Sequence, residues 1–165
     1  MRIIAGCGLM LMLSGLGCAT TPPSVPVSGT AADLSQLAGE WNGEYNSNTG
    51  GRSGVITFQL AAGADTAHGD VIMFPRQGRT TMSGDTPNTA YMAIPQGLSI
   101  RFVRTADGQG SGALDPYRDP DCDCMVTTTF EGRLRGDTIE GRYVSIRSGE
   151  AESMRGVWKV KRKRP

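Results

Sequence analysis

Gly39-Glu40-Trp41-Asn42-Gly43-Glu44-Tyr45 alternates strictly, with Trp41, Gly43 and Tyr45 on one face and Glu40, Asn42 and Glu44 on the other. Side chains on a β-strand point to opposite faces in turn, so this stretch predicts a half-buried strand whose apolar side meets a core. The same period recurs outward from it. Ile56, Phe58 and Leu60 oppose Val55, Thr57 and Gln59; Ile100 and Phe102 oppose Arg101; Met154, Gly156, Trp158 and Val160 oppose Arg155, Val157, Lys159 and Lys161. Residues 70–74, 90–94, 110–114, 125–134 and 138–146 are further candidates, for about nine strands in all. Asn48-Thr49-Gly50-Gly51, Gly84-Asp85-Thr86-Pro87-Asn88, Asp107-Gly108 and Arg135-Gly136-Asp137 supply the turns between them.

These short intervals suit antiparallel meander connections. No stretch reads as a crossover helix, so a parallel sheet is not expected. The 165 residues include 23 Gly and 9 Pro, with 38% hydrophobic and 6% aromatic side chains, which suits one modest core and excludes long helices. The fold expected is all-β: a single antiparallel up-and-down barrel of eight to nine strands, with a β-sandwich as the alternative. Gly43, Gly132, Gly141 and Gly156 fall inside strand patterns, where they permit the sharp coiling of a small barrel, and so favour closure.

Gly39-Glu40-Trp41 resembles the Gly-x-Trp signature of lipocalins and their calycin relatives. The resemblance implies that Trp41 plugs one barrel end and that a basic residue of the last strand covers it. In Gly156-Val157-Trp158-Lys159-Val160-Lys161-Arg162 that residue is Arg162. The Thr-Asp-Tyr turn motif of typical lipocalins is missing, so the implied form is a reduced, lipocalin-like barrel. The phrase from Thr129 to Tyr143 also resembles a hairpin common in bacterial envelope proteins.

The amino end carries an address. Arg2 precedes the apolar run Ile3-Ile4-Ala5-Gly6-Cys7-Gly8-Leu9-Met10-Leu11-Met12-Leu13, too short to span a bilayer and suited to a signal-peptide core. Ser14-Gly15-Leu16-Gly17-Cys18 then resembles the processing site of bacterial lipoproteins. This implies removal of residues 1–17, acylation of Cys18 and anchoring without a spanning helix. In the resembled family Ala19 after the cysteine favours the outer membrane, on its periplasmic face. Residues 18–36, rich in Thr, Pro and Ser, read as a flexible tether, with one helical turn over Asp33–Ala38, and residues 37–165 as the barrel domain with a basic tail.

Segment 1–17 holds one base, Arg2, and no acid, so of 17 bases and 16 acids the rest of the chain keeps 16 of each. Five of those bases, Lys159, Lys161, Arg162, Lys163 and Arg164, lie in the last seven positions and read as a solvated chain end, with contact to anionic lipid headgroups or lipopolysaccharide phosphates as the alternative. A nucleic-acid partner is not expected.

Asp115-Pro116-Tyr117-Arg118-Asp119-Pro120-Asp121-Cys122-Asp123-Cys124 is the most distinctive segment. In an oxidising envelope the first expectation is a Cys122–Cys124 disulfide. Two metal readings stand beside it. Asp119, Asp121 and Asp123 at alternate positions resemble the start of a calcium loop, without its glycine or closing Glu. Cys122 and Cys124 with His68 form a set suited to zinc or Cu(I). His68 alone reads as a surface loop residue; Tyr117 and Arg118 read as loop-surface residues, with the border of a ligand mouth as the alternative.

The sequence lacks the Gly-Lys-Ser phosphate loop, the His-Glu-x-x-His helix and the Gly-x-Ser-x-Gly elbow, and has a single histidine. The functional expectation is therefore a lipid-anchored envelope protein that binds rather than catalyses, with an apolar small molecule at the barrel mouth or an envelope protein as partner and no cofactor. Alternatives are a structural or assembly lipoprotein, a metal-binding protein using the Asp/Cys loop, and a hydrolase using Asp115, Asp119 or Asp121.

Overall fold

A computed structural model describes residues 23–49, 52–74, 95–120 and 122–164. Its elements in chain order are β1 (Ser24–Ser28), α1 (Ala31–Leu37), β2 (Gly39–Ser47), β3 (Gly54–Leu60), β4 (Thr66–Met73), β5 (Gln96–Leu98), β6 (Ile100–Ala106), β7 (Gln109–Leu114), β8 (Tyr117–Asp119), β9 (Cys124–Arg135), β10 (Thr138–Arg147) and β11 (Ser153–Arg162). Nine strands close a barrel in the order β1-β6-β7-β9-β10-β11-β2-β3-β4, with β4 returning to β1. The short β5 and β8 extend the wall beside β4 and β9.

The wall is mixed. All pairings but one are antiparallel; β1 lies parallel to β6 through Val27↔Val103 and Ser28↔Arg104, while Ser24, Val25 and Pro26 pair antiparallel with β4. This corrects two expectations at once. Residues 24–28 belong to the barrel wall and not to a tether, and the barrel is not purely up-and-down. The physical reason is burial: Val25 and Val27 point inward and are almost fully buried, and β1 fills the seam between the lower halves of β4 and β6. Above that seam β4 pairs directly with β5. The expected strand 90–94, the turn 84–88 and Cys18 lie outside the described residues.

Most of the alternation holds. Trp41 and Tyr45, Leu60, Val126 and Val160 are buried on the inner face. Along β6 it slips: the β6–β7 register shifts between Ile100 and Phe102, a bulge that places one extra residue on β6. Ile100, Val103 and Thr105 therefore line the interior. Phe102 sits instead beneath Arg104, whose guanidinium carbon is 5.0 Å from the ring centroid. Asp107 and Gly108, with φ of 52° and 70°, make the β6–β7 turn in the left-handed conformation that two-residue hairpins favour.

The inward glycines are sites of close approach. A Cβ on Gly141 would overlap the Glu131 carbonyl and the Trp158 indole, which lies across Gly132 and Gly141 and donates from Nε1 to Glu131 O at 3.1 Å. We expect Gly141→Ala to destabilise the barrel by about 1–3 kcal/mol, the usual cost of overpacking. Gly97→Ala, where a Cβ meets nothing within 4 Å, should stay within about 0.5 kcal/mol. Urea midpoints of the two variants check the contrast.

Candidate functional site

The strand registers sort the barrel into two ends. At one lie α1, the β3–β4, β6–β7 and β9–β10 turns, and the last residues of β11; at the other lie the β8–β9 and β10–β11 connections. Between them the interior holds a cavity of about 140 Å³. Its wall is apolar, built from side chains such as Ile56, Phe58, Val71, Leu98, Ile100 and Val103, with Thr105, Thr128 and Ser145 as scattered hydroxyls. Gly108 and Gly110, where a Cβ would meet nothing closer than 3.9 Å, and Ala67 are the smallest residues in its wall.

The α1 end is plugged. Trp41 is fully buried, stacks on Phe58 with centroids 5.7 Å apart, and donates from Nε1 to Leu37 O at 2.8 Å. The Arg162 guanidinium carbon lies 4.2 Å from the Trp41 ring centroid. Arg162 also donates to Ala38 O, to Gln36 O at 2.7 Å and to Asp137 Oδ1 at 3.2 Å. Gly39, with φ of 124°, lets the chain pass under Arg162; a Cβ there would sit 3.0 Å from its Nη1. A cation over an indole contributes roughly 0.5–2 kcal/mol. Helix α1 starts at Thr30, whose hydroxyl donates to Asp33 Oδ2 at 2.7 Å and accepts from Asp33 N at 3.2 Å. Asp33 Oδ1 in turn accepts from Gly108 N at 3.4 Å, fastening the helix to the β6–β7 turn. The Thr30 contact holds the Asp33 carboxyl below its ordinary pKa.

The opposite end is polar. Tyr45, Tyr117, Tyr143 and Ser145 border both the main cavity and a smaller one of about 30 Å³ that reaches Arg52 and Asp119. The Asp119 carboxylate is buried between two guanidinium groups, Arg52 Nη2 at 3.5 Å and Arg147 Nη2 at 3.2 Å, and Arg147 also meets Glu150 at 3.5 Å. Burial is the main cause that pushes all three tyrosine hydroxyls above their ordinary pKa. Hydrogen bonds to Thr128 and Ser145 partly offset it at Tyr117. Thr128 and Ser145 join each other at 2.7 Å.

The acidic cysteine segment lies at this polar end. The Cys122 and Cys124 sulfurs are at disulfide-bonding distance, and their Cα atoms are 5.1 Å apart. An extended chain would separate them by about 6.6 Å; Asp123, with φ of 52°, turns the backbone and shortens the span. Asp123 is held by a two-pronged contact with Arg118, with Nη2 to Oδ2 at 2.7 Å, which keeps its carboxyl below the ordinary range. Asp119 and Asp123 thus face guanidinium groups, and Asp121 lies outside the described residues. His68 sits on β4 opposite Gln59, exposed and near the plugged end. It is a strand residue rather than a loop residue, and the structure does not bring it to the cysteines. Among the described residues no three of His, Cys, Asp and Glu gather into a metal-holding group.

Of the two readings of Tyr117, the structure places it not on a loop surface but in the cavity wall at one barrel end, because β8 pairs Tyr117 with the buried Val126. Arg118, next along, faces solvent as expected. Arg52 and Arg147 carried no local signal: their shared partner is 67 and 28 positions away. No protein-family model matches the chain, and comparison with curated proteins finds no match.

The tyrosines make the barrel sensitive to alkali. A folded-state pKa raised above the ordinary 10.0 confers stability that is complete below pH 10 and is lost as the pH climbs through the raised values. We expect tyrosinate absorbance from three of the four tyrosines to appear only above pH 10 and together with loss of near-ultraviolet dichroism. Three tyrosines titrating independently near pH 10 would contradict this.

Proposed function

We propose that this chain is a lipid-anchored cell-envelope protein whose barrel binds a small apolar molecule. The observation that carries the binding reading is the interior cavity of about 140 Å³ with its largely aliphatic and aromatic wall. An engineered cavity of similar size, about 150 Å³, stays dry and accepts benzene or xenon, so the fitting ligand is a compact apolar body of a few heavy atoms. The ionisable side chains in the wall are tyrosines with raised pKa, which stay protonated near neutral pH. Such groups orient a ligand by hydrogen bonding and are poor general bases, which favours binding over catalysis. The resemblance of the amino end to a lipoprotein processing site supports attachment at the envelope, on the periplasmic face of an outer membrane where the cell has one.

Both halves are testable. A ligand that binds only the folded state raises stability by about 2.7 kcal/mol at a hundred times its Kd. Toluene or benzene should therefore raise the melting temperature, and Val71→Phe, which fills the cavity, should abolish the shift while retaining the wild-type dichroism spectrum. A wild type that melts at the same temperature with and without these ligands would remove the binding reading. Separately, cells fed labelled fatty acid should yield a labelled protein that loses both label and membrane association in Cys18→Ser. An unlabelled wild type would remove the anchor and leave the cavity argument standing.

A further inference from the structure

The Cys122–Cys124 bridge does little that its surroundings do not already do. It encloses a single residue, and the stabilisation a cross-link gives by restricting the unfolded chain grows with the loop it closes. Its neighbours hold the same turn without it. β8 and β9 pair through Tyr117↔Val126, Arg118↔Met125 and Asp119↔Cys124; Arg118 grips both oxygens of Asp123; and Asp119 is buried between Arg52 and Arg147. The bridge is also accessible. Cys122 and Asp123 are exposed and Cys124 is half-buried, at the barrel end away from the Trp41 plug. Asp123, between the two cysteines, is one of two described non-glycine residues with positive φ, a sparsely populated conformation. A disulfide that is exposed and closes almost no loop belongs to the exchangeable class.

We propose that Cys122-Asp123-Cys124 is a thiol–disulfide exchange site, taking electrons from or passing them to a dithiol. In the reducing direction one thiolate of the dithiol attacks the exposed Cys122 Sγ. A mixed disulfide forms there, and the Cys122–Cys124 bond breaks with its electron pair leaving on Cys124, which takes a proton from water. The second thiol of the reductant loses its proton and attacks its own partner sulfur in the mixed disulfide, releasing the Cys122 thiolate, which is protonated in turn. Two electrons and two protons pass to the cysteine pair, and the dithiol departs as a disulfide; the reverse sequence oxidises a dithiol. Because Arg118, Asp123 and the β8–β9 ladder stay in place, the two thiols remain close and the cycle needs no unfolding.

The test uses the full-length, natively folded chain in dithiothreitol redox buffers. Thiols are quenched by alkylation and read by mass on the tryptic peptide 119–133, which isolates this pair from Cys7 and Cys18. The expected result is reversible reduction in the folded state, with the melting temperature moving by no more than about 5 °C. With glutathione disulfide, the lone thiolate of Cys124→Ser should displace one glutathione thiolate and accumulate a mixed disulfide on Cys122 at least about 5-fold faster than Cys122→Ser does on the less exposed Cys124. A bridge that resists dithiothreitol until the barrel unfolds, or a barrel that collapses once it is reduced, would show a structural staple and overturn the proposal. Equal trapping by the two variants would overturn the assignment of Cys122 as the accessible sulfur through which exchange runs.

Discussion

Closure of the wall by β1 is the constraint on which the rest of the barrel depends. Three residues of β1 pair with β4 and two with β6, and Val27 N donates to Asp65 O at 2.7 Å while Pro23 O accepts from Gly69 N at 3.3 Å. Without these bonds the lower halves of β4 and β6 would be open edges, each presenting unpaired backbone groups to other chains. Val25 and Val27 would leave the core, at a cost of roughly 1.5–3 kcal/mol each. The cavity between the two ends would open sideways to water. Closure is also a non-local step of assembly, since it brings Val27 against Val103, second in span to the β2–β11 pairing that brings Trp41 against Arg162, and contacts of such span slow folding.

The two ends of the barrel are sealed by different physics. At the α1 end the seal is dry: an indole with its single N–H satisfied, an aromatic ring below it and a guanidinium above. At the other end it is ionic, with one buried carboxylate shared by two arginines above a layer of tyrosines. An ionic seal tolerates neighbouring hydroxyls and small polar voids, whereas an aromatic stack excludes them. A ligand that entered past the tyrosines would keep its apolar part against Ile56, Val71 and Leu98 and could offer a polar edge to Thr128 or Ser145.

The barrel was legible because its long strands must hide one face each, and that requirement writes itself into every second residue from Trp41 to Tyr45 and from Met154 to Val160. The Asp107-Gly108 turn was legible because few residue pairs adopt two successive left-handed conformations cheaply. Strand β1 was not: Val25-Pro26-Val27 offers two apolar residues among the prolines and serines that also mark linkers, and only its neighbours make it a strand. The bulge that displaces Phe102 depends on the pairing with β7, which no local pattern encodes. The same holds for the site. Trp41 and Arg162 could be paired on paper through a short motif and a strand end, whereas Asp119 met its arginines only through tertiary folding, and in the bare sequence it resembled a metal ligand or a catalytic acid as much as half of an ion pair.

The position of β1 also has a mechanical side. Tension applied at Pro23 and Ser24 acts first on β1, whose few backbone pairs bridge the seam among the described residues. The hairpins of β9, β10 and β11 are linked by much longer ladders and lie across the wall from that point. A pull from that side would therefore unzip the seam before any other part of the wall yields, laying bare the interior while most of the sheet stays intact.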